Sequence, residues 1–330
     1  MEQVIIIGAG PCGLSAAVEL KNAGFDPLII EKGSIVHSIY RYPTYLIFHS
    51  TPELLEIGGV PFVTPNEKPT RLEGLTYYRT VAERHELRIR TYETVKAIDR
   101  QENGPFIIST SDRSGRKKEY GSKAVVIATG YFDNPNMLGI PGEELDKVSH
   151  YYREAHPYAG QKVIIVGGNN SAVDAALELA RGGADVTVVY RRDVLSSHVK
   201  AWTRPLFESM VAKGKIRLLL SSQLTEVRED EVVITGPGGE MRLENDAVLA
   251  LTGFQPDRSL LLAAGVTLNP ETGGPIYQSD TMESAVPNLY IAGVVAAGSR
   301  ANEIFIETGR HHGKLIAADI ISKGSNGSKA

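Results

Sequence analysis

The feature that most restricts this chain is a glycine turn, Gly8-Ala9-Gly10-Pro11-Cys12-Gly13, set between two apolar stretches of different period. Val4 to Ile7 reads as a buried parallel strand. Beyond the turn, Leu14, Ala17, Val18 and Leu20 share one face of a helix. A second strand, Pro27 to Ile30, ends in Glu31. Each glycine has a mechanical task in such a unit. Gly8 allows the tight turn, Gly10 lets the backbone approach a pyrophosphate, and Gly13 lets the helix pack on the strand. The helix start offers free N–H groups and partial positive charge to the phosphates. Glu31 stands where an acid accepts hydrogen bonds from ribose hydroxyls. Strand, turn, helix, strand and acid in this order predict a dinucleotide site.

The pattern recurs. Setting Val4 against Val163 places Gly8 on Gly167, Ala17 on Ala176, Glu19 on Glu178 and Leu20 on Leu179. Two copies of a nucleotide-binding unit imply two nucleotides. In the copy, Gly167-Gly168-Asn169-Asn170-Ser171-Ala172 forms the turn, with Asn169 replacing Gly10 and Ala172 replacing Gly13. Asn tolerates left-handed backbone, so the turn is expected to survive with an amide near the phosphate. Glu31 gives way to Tyr190, followed by Arg191 and Arg192. An acid there favours a free ribose, whereas arginines suit a 2′-phosphate. The first site is therefore expected to take a dinucleotide with a free ribose and the second one with a 2′-phosphate.

A chain of 330 residues has room for two ordinary cores. Its net charge of −4 gives no electrostatic case for nucleic acid or an anionic membrane. No apolar run approaches a membrane span, and a cytoplasmic protein is expected. Cys12 is the one cysteine, which excludes an intrachain disulfide, a Cys-x-x-Cys pair and a thiolate zinc site. The histidines show no metal-ligand spacing, and no metal is expected.

Further along, residues 71 to 84 carry helical spacing through Leu72, Leu75, Tyr78 and Val81, and strands are expected at Thr91–Ile98 and Phe106–Thr110. The strand Ala124 to Ala128 ends in Thr129-Gly130, and Ala247 to Leu251 ends in Thr252-Gly253. A late apolar strand spans 287 to 295, and a single last helix is expected over Glu303 to Ile321. The returning strand and helix belong to the first domain. The expected organisation is residues 1–134 and 254–321 for the first dinucleotide, 135–253 for the second, and a disordered polar tail from 322 to 330. The fold class is α/β, with two three-layer Rossmann-like dinucleotide-binding domains. Besides the two turns and Glu31, the expected cofactor contacts are Lys32, Ser38, His49, Val95, Ala128, Thr129, Gly130, Gly293, Ile304, Thr252 and Gly253.

On these residues the chain resembles the two-domain flavoproteins of low-molecular-weight thioredoxin reductase type. GAGPCG with Glu31, VIATG at 126–130, VGGNNSA at 166–172, RRD at 191–193 and LTGFQPD at 251–257 carry the resemblance. It implies hydride transfer from NADPH to FAD. The redox cysteine pair of thioredoxin reductase is absent from the stretch between Gly142 and Gln161. A narrower resemblance is to the bacillithiol-disulfide reductase family, carried by GAGPCGLSAA, RYPTYLIFHSTPELLEIGG, VGGNNSAVDAALEL and LYIAGVVAAGSRANEIFIETGRHHG. It implies reduction of a small-molecule disulfide, with Cys12 in a catalytic role, in a homo-oligomer (dimer or tetramer). Two positions depart from the wider pattern. Val294 stands where related enzymes carry an Asp on the FAD ribityl chain, and Ser196 stands in place of a third arginine.

Other classes remain open from the residues. A ferredoxin- or flavodoxin-NADP reductase needs no cysteine, but that type carries a C-terminal aromatic extension and this chain ends in GSNGSKA. A flavin monooxygenase and a non-catalytic NADPH/FAD sensor are the remaining alternatives. Cys12 also has a structural reading, since a free cysteine fills such a slot as a small hydrophobe.

Overall fold

The computed structural model of the chain describes residues 1–100, 104–300 and 303–327. It divides into two compact units, one of residues 1–41, 46–134 and 254–330 and one of 42–45 and 135–253.

The first unit opens with β1 (Glu2–Ile7), α1 (Pro11–Asn22) and β2 (Leu28–Glu31). Short helices α2 (His37–Arg41) and α3 (Pro52–Leu55) precede α4 (Arg71–Arg84). The helix α4 starts where Thr70 accepts from the Glu73 amide and Glu73 reaches back to the Thr70 amide. A reciprocal cap of this kind contributes about 1 kcal/mol. Its buried face is Arg71, Gly74, Tyr77, Tyr78 and Val81. Leu72, expected on that face, is 68% exposed. The correction is rotational: the Tyr77 ring stacks on Phe62, with ring centroids 4.2 Å apart, and that pairing turns Leu72 outward.

Next come β3 (Arg88–Thr91), β4 (Glu93–Arg100), β5 (Phe106–Asp112) and β6 (Lys117–Ile127). The two strands β3 and β4 replace the one expected over Thr91–Ile98, because Tyr92 takes a left-handed turn between them (φ +58°). The sheet runs β3-β2-β1-β6-β5-β4. β1 pairs in parallel with β2 and β6, while β4, β5 and β6 form an antiparallel flap. Val4 to Ile7 are almost entirely buried, as befits a strand covered on both faces.

The second unit contains β7 (Val148–Ser149), β8 (Lys162–Val166), α5 (Asn170–Arg181), β9 (Asp185–Val189), α6 (Arg204–Ala212) and β10 (Ile216–Leu219). An antiparallel trio follows, β11 (Gln223–Val227), β12 (Glu231–Gly236) and β13 (Gly239–Glu244), and then β14 (Ala247–Ala250). The parallel sheet runs β10-β9-β8-β14-β7. Its strands divide their side chains between two apolar layers. Val163 and Ile165 pack with Ala176, Leu179 and Phe207, whereas Ile164 packs with Leu224, Val232 and Ile234 of the trio. Period-two alternation thus feeds both faces of one strand.

The chain returns to the first unit with α7 (Ser259–Ala263), β15 (Leu289–Ile291), α8 (Ile306–Gly309) and α9 (His312–Gly327). β15 pairs in parallel with β6. The apolar run expected to be one strand over 287–295 is strand only to Ile291, because Gly293 turns left-handed (φ +76°) into a tight 3-10 segment. The single last helix expected is two. The break at Arg310-His311 is tight, with the His311 amide bonded to Thr308. It lets Gly313 seat α9 directly on the Ala16 backbone of α1. The tail expected from Ser322 falls partly on the last turns of α9, and its final residues, 328–330, lie outside the described residues.

Candidate dinucleotide sites

Parallel registry aligns four strand ends in the first unit. Ile7 is level with Ile30 and Ile127, and Ile127 with Ile291. Gly8, Glu31, Ala128 and Ala292 therefore emerge together, at the carboxyl edge where open α/β sheets bind ligands.

Gly8 holds φ +108°, and a methyl group there would lie 2.5 Å from the Ala128 carbonyl oxygen. A methyl group on Gly13 would overlap the Gly8 carbonyl oxygen. Both glycines are thus required by the protein's own packing. Gly10 is different: a methyl group there would meet nothing within 4 Å. Its φ of −73° is open to any residue. Nothing in the chain asks for glycine at that position, so the requirement points outward, to a group that must approach the backbone. This is the fit expected of a pyrophosphate at the start of α1.

The Glu31 carboxylate is 7% exposed. Its Oε2 accepts from the Ala9 amide at 2.8 Å and its Oε1 from the Gly33 amide at 2.7 Å. These bonds aim the acid along the turn and leave each oxygen a further lone pair for a ribose hydroxyl. Two non-glycine residues beside it are left-handed, Val36 (φ +47°) and Tyr92. A β-branched residue is a marked outlier there. The Val36 amide is bonded to the Ala9 carbonyl at 2.9 Å, which ties the post-β2 loop to the glycine turn.

The remaining predicted contacts divide. Thr129 and Gly130 continue from β6 at the same edge, and Ile304 lies just before α8, close to Gly309. Lys32 is drawn into an ion pair with Asp133 at 3.0 Å, and Arg41 reaches the same acid at 2.7 Å. Ser38 lies on α2, His49 is exposed in the segment before α3, and Val95 is buried in β4 at a register shift.

Cys12 lies on the second residue of α1, and its sulfur is packed against Gly293 and Gly309. A methyl group on either would come within 3.0 and 2.7 Å of Sγ. Burial, reinforced by the charge of Glu307, pushes the thiol up to about 12. Glu307 in turn accepts from the Ser50 hydroxyl. The Gly293 amide donates to Nδ1 of His312 at 3.1 Å, which assigns the ring proton to Nε2. Burial holds His312 down to about 4. Neither Glu307 nor His312 carries a sequence signal of its own, since each acts through residues remote in the chain.

In the second unit, Gly167 repeats the geometry of Gly8. A methyl group there would lie 2.6 Å from the Leu251 carbonyl oxygen, and one on Gly168 would overlap the Tyr190 ring. Asn169 corrects the expectation of a left-handed residue. Its backbone is extended (φ −112°), and its side chain caps α5 by accepting from the Asn170 amide. The cap makes left-handed backbone unnecessary. Ser171 is exposed in the first turn of α5, and Ala172 is buried beneath Gly167. The Asn170 amide holds the loop after β9, donating to the His198 carbonyl and accepting from the Lys200 amide. The Ser196 amide bonds back to Gly168, and Arg204 donates to the Ser196 carbonyl. Arg191 and Arg192, on this loop, are exposed and form no ion pair among the described residues. Thr252 and Gly253 are clamped by Asn136, which accepts from the Thr252 hydroxyl at 2.7 Å.

No helix is long and apolar enough to cross a membrane, and no group of three or more candidate metal ligands occurs among the described residues.

Comparison with known proteins agrees with this geometry. A family model described as pyridine nucleotide-disulphide oxidoreductase matches residues 5–293. Bacilliredoxin reductase Bdr of Bacillus subtilis is 48% identical over 98% of both chains. The solved structure of bacillithiol disulfide reductase Bdr from Bacillus cereus superposes with a TM-score of 0.95 at 48% identity, covering 98% of this chain and 99% of that one. A thioredoxin reductase from T. acidophilum shares the fold, with a TM-score of 0.75 at 23% identity over 98% of both chains.

Proposed function

We propose, from the premise that the chain belongs to the pyridine nucleotide-disulphide oxidoreductase family, that it is an NADPH-dependent, FAD-containing reductase of a low-molecular-weight disulfide, bacillithiol disulfide foremost. The observation that carries this reading is the contrast between two otherwise parallel turns. A buried carboxylate closes one, and two exposed guanidinium groups with no ion pair among the described residues follow the other. Bound at these turns, FAD and NADPH would supply hydride transfer from nicotinamide to flavin and electrons to the disulfide. The protein's part is to hold the first pyrophosphate over Gly10, orient a ribose through Glu31, and retain a 2′-phosphate through Arg191 and Arg192. The FAD unit comprises residues 1–134 and 254–321 and the NADPH unit residues 135–253, in a cytoplasmic homo-oligomer.

Cys12 enters as the candidate nucleophile, with a specific obstacle. Its resting form is the neutral thiol, so the reactive thiolate grows about tenfold per pH unit up to about 12. The name of the Bacillus subtilis relative supports a second reading, in which the disulfide is carried by a bacilliredoxin.

Stopped-flow reduction by NADPH, followed by reoxidation with bacillithiol disulfide, oxidised bacilliredoxin, ferredoxin or oxygen in turn, separates these readings. Fast reoxidation by the small disulfide is the expected outcome, and reoxidation by ferredoxin or oxygen alone would refute it. In the same assay Cys12→Ala should keep normal flavin reduction and lose disulfide turnover. Unchanged turnover would reduce Cys12 to a packing residue.

A further inference from the structure

A cleft of about 330 Å³ opens in the first unit, lined by residues of β3, by Tyr92 and Glu93 that follow it, and by the β5–β6 hairpin. This volume is at the small end of the range for ligand clefts. Three of its cations lie near the hairpin. Arg116 is paired with Asp112 at 2.8 Å and Lys118 with Glu93 at 3.1 Å. Arg113 has no carboxylate partner among the described residues. Its guanidinium carbon lies instead 3.3 Å from the centre of the Tyr92 ring.

The position of this pair in the sheet is informative. Strand order from the centre outward is β1, β2, β3. The end of β1 forms the turn fitted to a pyrophosphate, and the end of β2 carries the acid fitted to a ribose. Thr91, the last residue of β3, is level with Glu31. Tyr92 follows it, and its amide donates at 3.1 Å to the carbonyl of Gly33, the residue whose own amide binds Glu31. Pyrophosphate, ribose and adenine are joined in that chemical order, so a dinucleotide laid across β1 and β2 brings its base to the end of β3. Tyr92 meets it there in left-handed backbone, a strained conformation that concentrates at ligand sites.

We infer that Tyr92 and Arg113 form the platform for the adenine of FAD. Arg113 is braced on one face by the Tyr92 ring and presents its other planar face to the base. Guanidinium planes stack on aromatic systems in this way, and a lysine offers no equivalent plane. The inference rests on the reading of the first unit as the FAD site. It adds a discriminating contact to the half of the cofactor that FMN lacks.

The test is reconstitution of deflavinated protein, with affinities read from the quenching of flavin fluorescence. Arg113→Ala should raise the FAD dissociation constant about tenfold and leave that for FMN unchanged, and Arg113→Lys should behave like Arg113→Ala. AMP should compete with FAD in the wild type and tenfold less well in Arg113→Ala. Arg113 is exposed, so the thermal midpoint of the flavin-free variant should match the wild type. Equal FAD affinity in wild type and Arg113→Ala would overturn the platform, as would a parallel loss of FMN affinity or full rescue by lysine. Failure of the wild type itself to bind FAD would instead refute the cofactor reading on which the inference rests.

Discussion

Gly10 and Gly13 lie three residues apart in one turn and answer to different masters. Gly13 faces the Gly8 carbonyl, and any side chain there must push backbone aside. Gly10 faces nothing the chain provides. Their alanine variants should therefore fail in different ways. Gly13→Ala is expected to lower the stability of the flavin-free protein by roughly 1–3 kcal/mol, the ordinary cost of overpacking. Gly10→Ala should cost less than about 1 kcal/mol, that of a poorer N-cap, yet purify with little flavin. Urea denaturation of stripped protein and flavin absorbance of the protein as isolated measure the two effects separately. Full flavin content in Gly10→Ala would place the pyrophosphate elsewhere. The motif spacing marks both residues in advance, but only packing shows which one the ligand requires.

At the scale of elements, one hydrogen bond joins the residues after β15 to the start of α9: the Gly293 amide donates to His312. Burial holds this imidazole neutral down to about pH 4, whereas in the unfolded chain it titrates near 6.5. Between those values the unfolded state binds the extra proton, so stability falls as pH is lowered through the window. The contribution is complete above about pH 6.5 and gone near pH 4, with a size of about 3 kcal/mol at most. Relative to the wild type, His312→Gln should lose this component of the acid destabilisation. Urea midpoints at pH 7.5, 6 and 4.5 for both proteins supply the comparison. Parallel pH profiles would mean that His312 does not stay neutral in the folded state.

For the whole molecule, two units with separate cores and separate turns predict two ligand affinities that vary independently. Replacing both Arg191 and Arg192 by alanine should leave flavin content unchanged while lowering the preference for NADPH over NADH. Each exposed charge-assisted contact to a phosphate is worth about 1–1.5 kcal/mol, so the preference should fall on the order of a hundredfold. Steady-state flavin reduction with the two nucleotides gives the ratio. A ratio that survives the double substitution would move the 2′-phosphate to other groups, such as Arg204, which donates to the Ser196 carbonyl on that loop.

The two nucleotide turns, their difference in charge and the strand ends carrying them were legible in the residues alone. Each is contiguous in the chain, and strand, glycine turn and helix are dictated by local periodicity and backbone freedom. What joins residues distant in sequence was not legible. The packing of Cys12 against Gly293 and Gly309, the charge of Glu307 on its thiol, the His312 bond and the stacking of Arg113 on Tyr92 depend on parallel registry and helix crossing. The break between α8 and α9 was hidden for the same reason. The apolar spacing on both sides of it reads as one helix, and only the seat of Gly313 on Ala16 requires two. Local patterns determined which groups could hold two dinucleotides. Tertiary packing alone decided that the lone thiol is half-buried and held above its usual pKa, because desolvation and neighbouring charge come from elements that meet only in the folded chain.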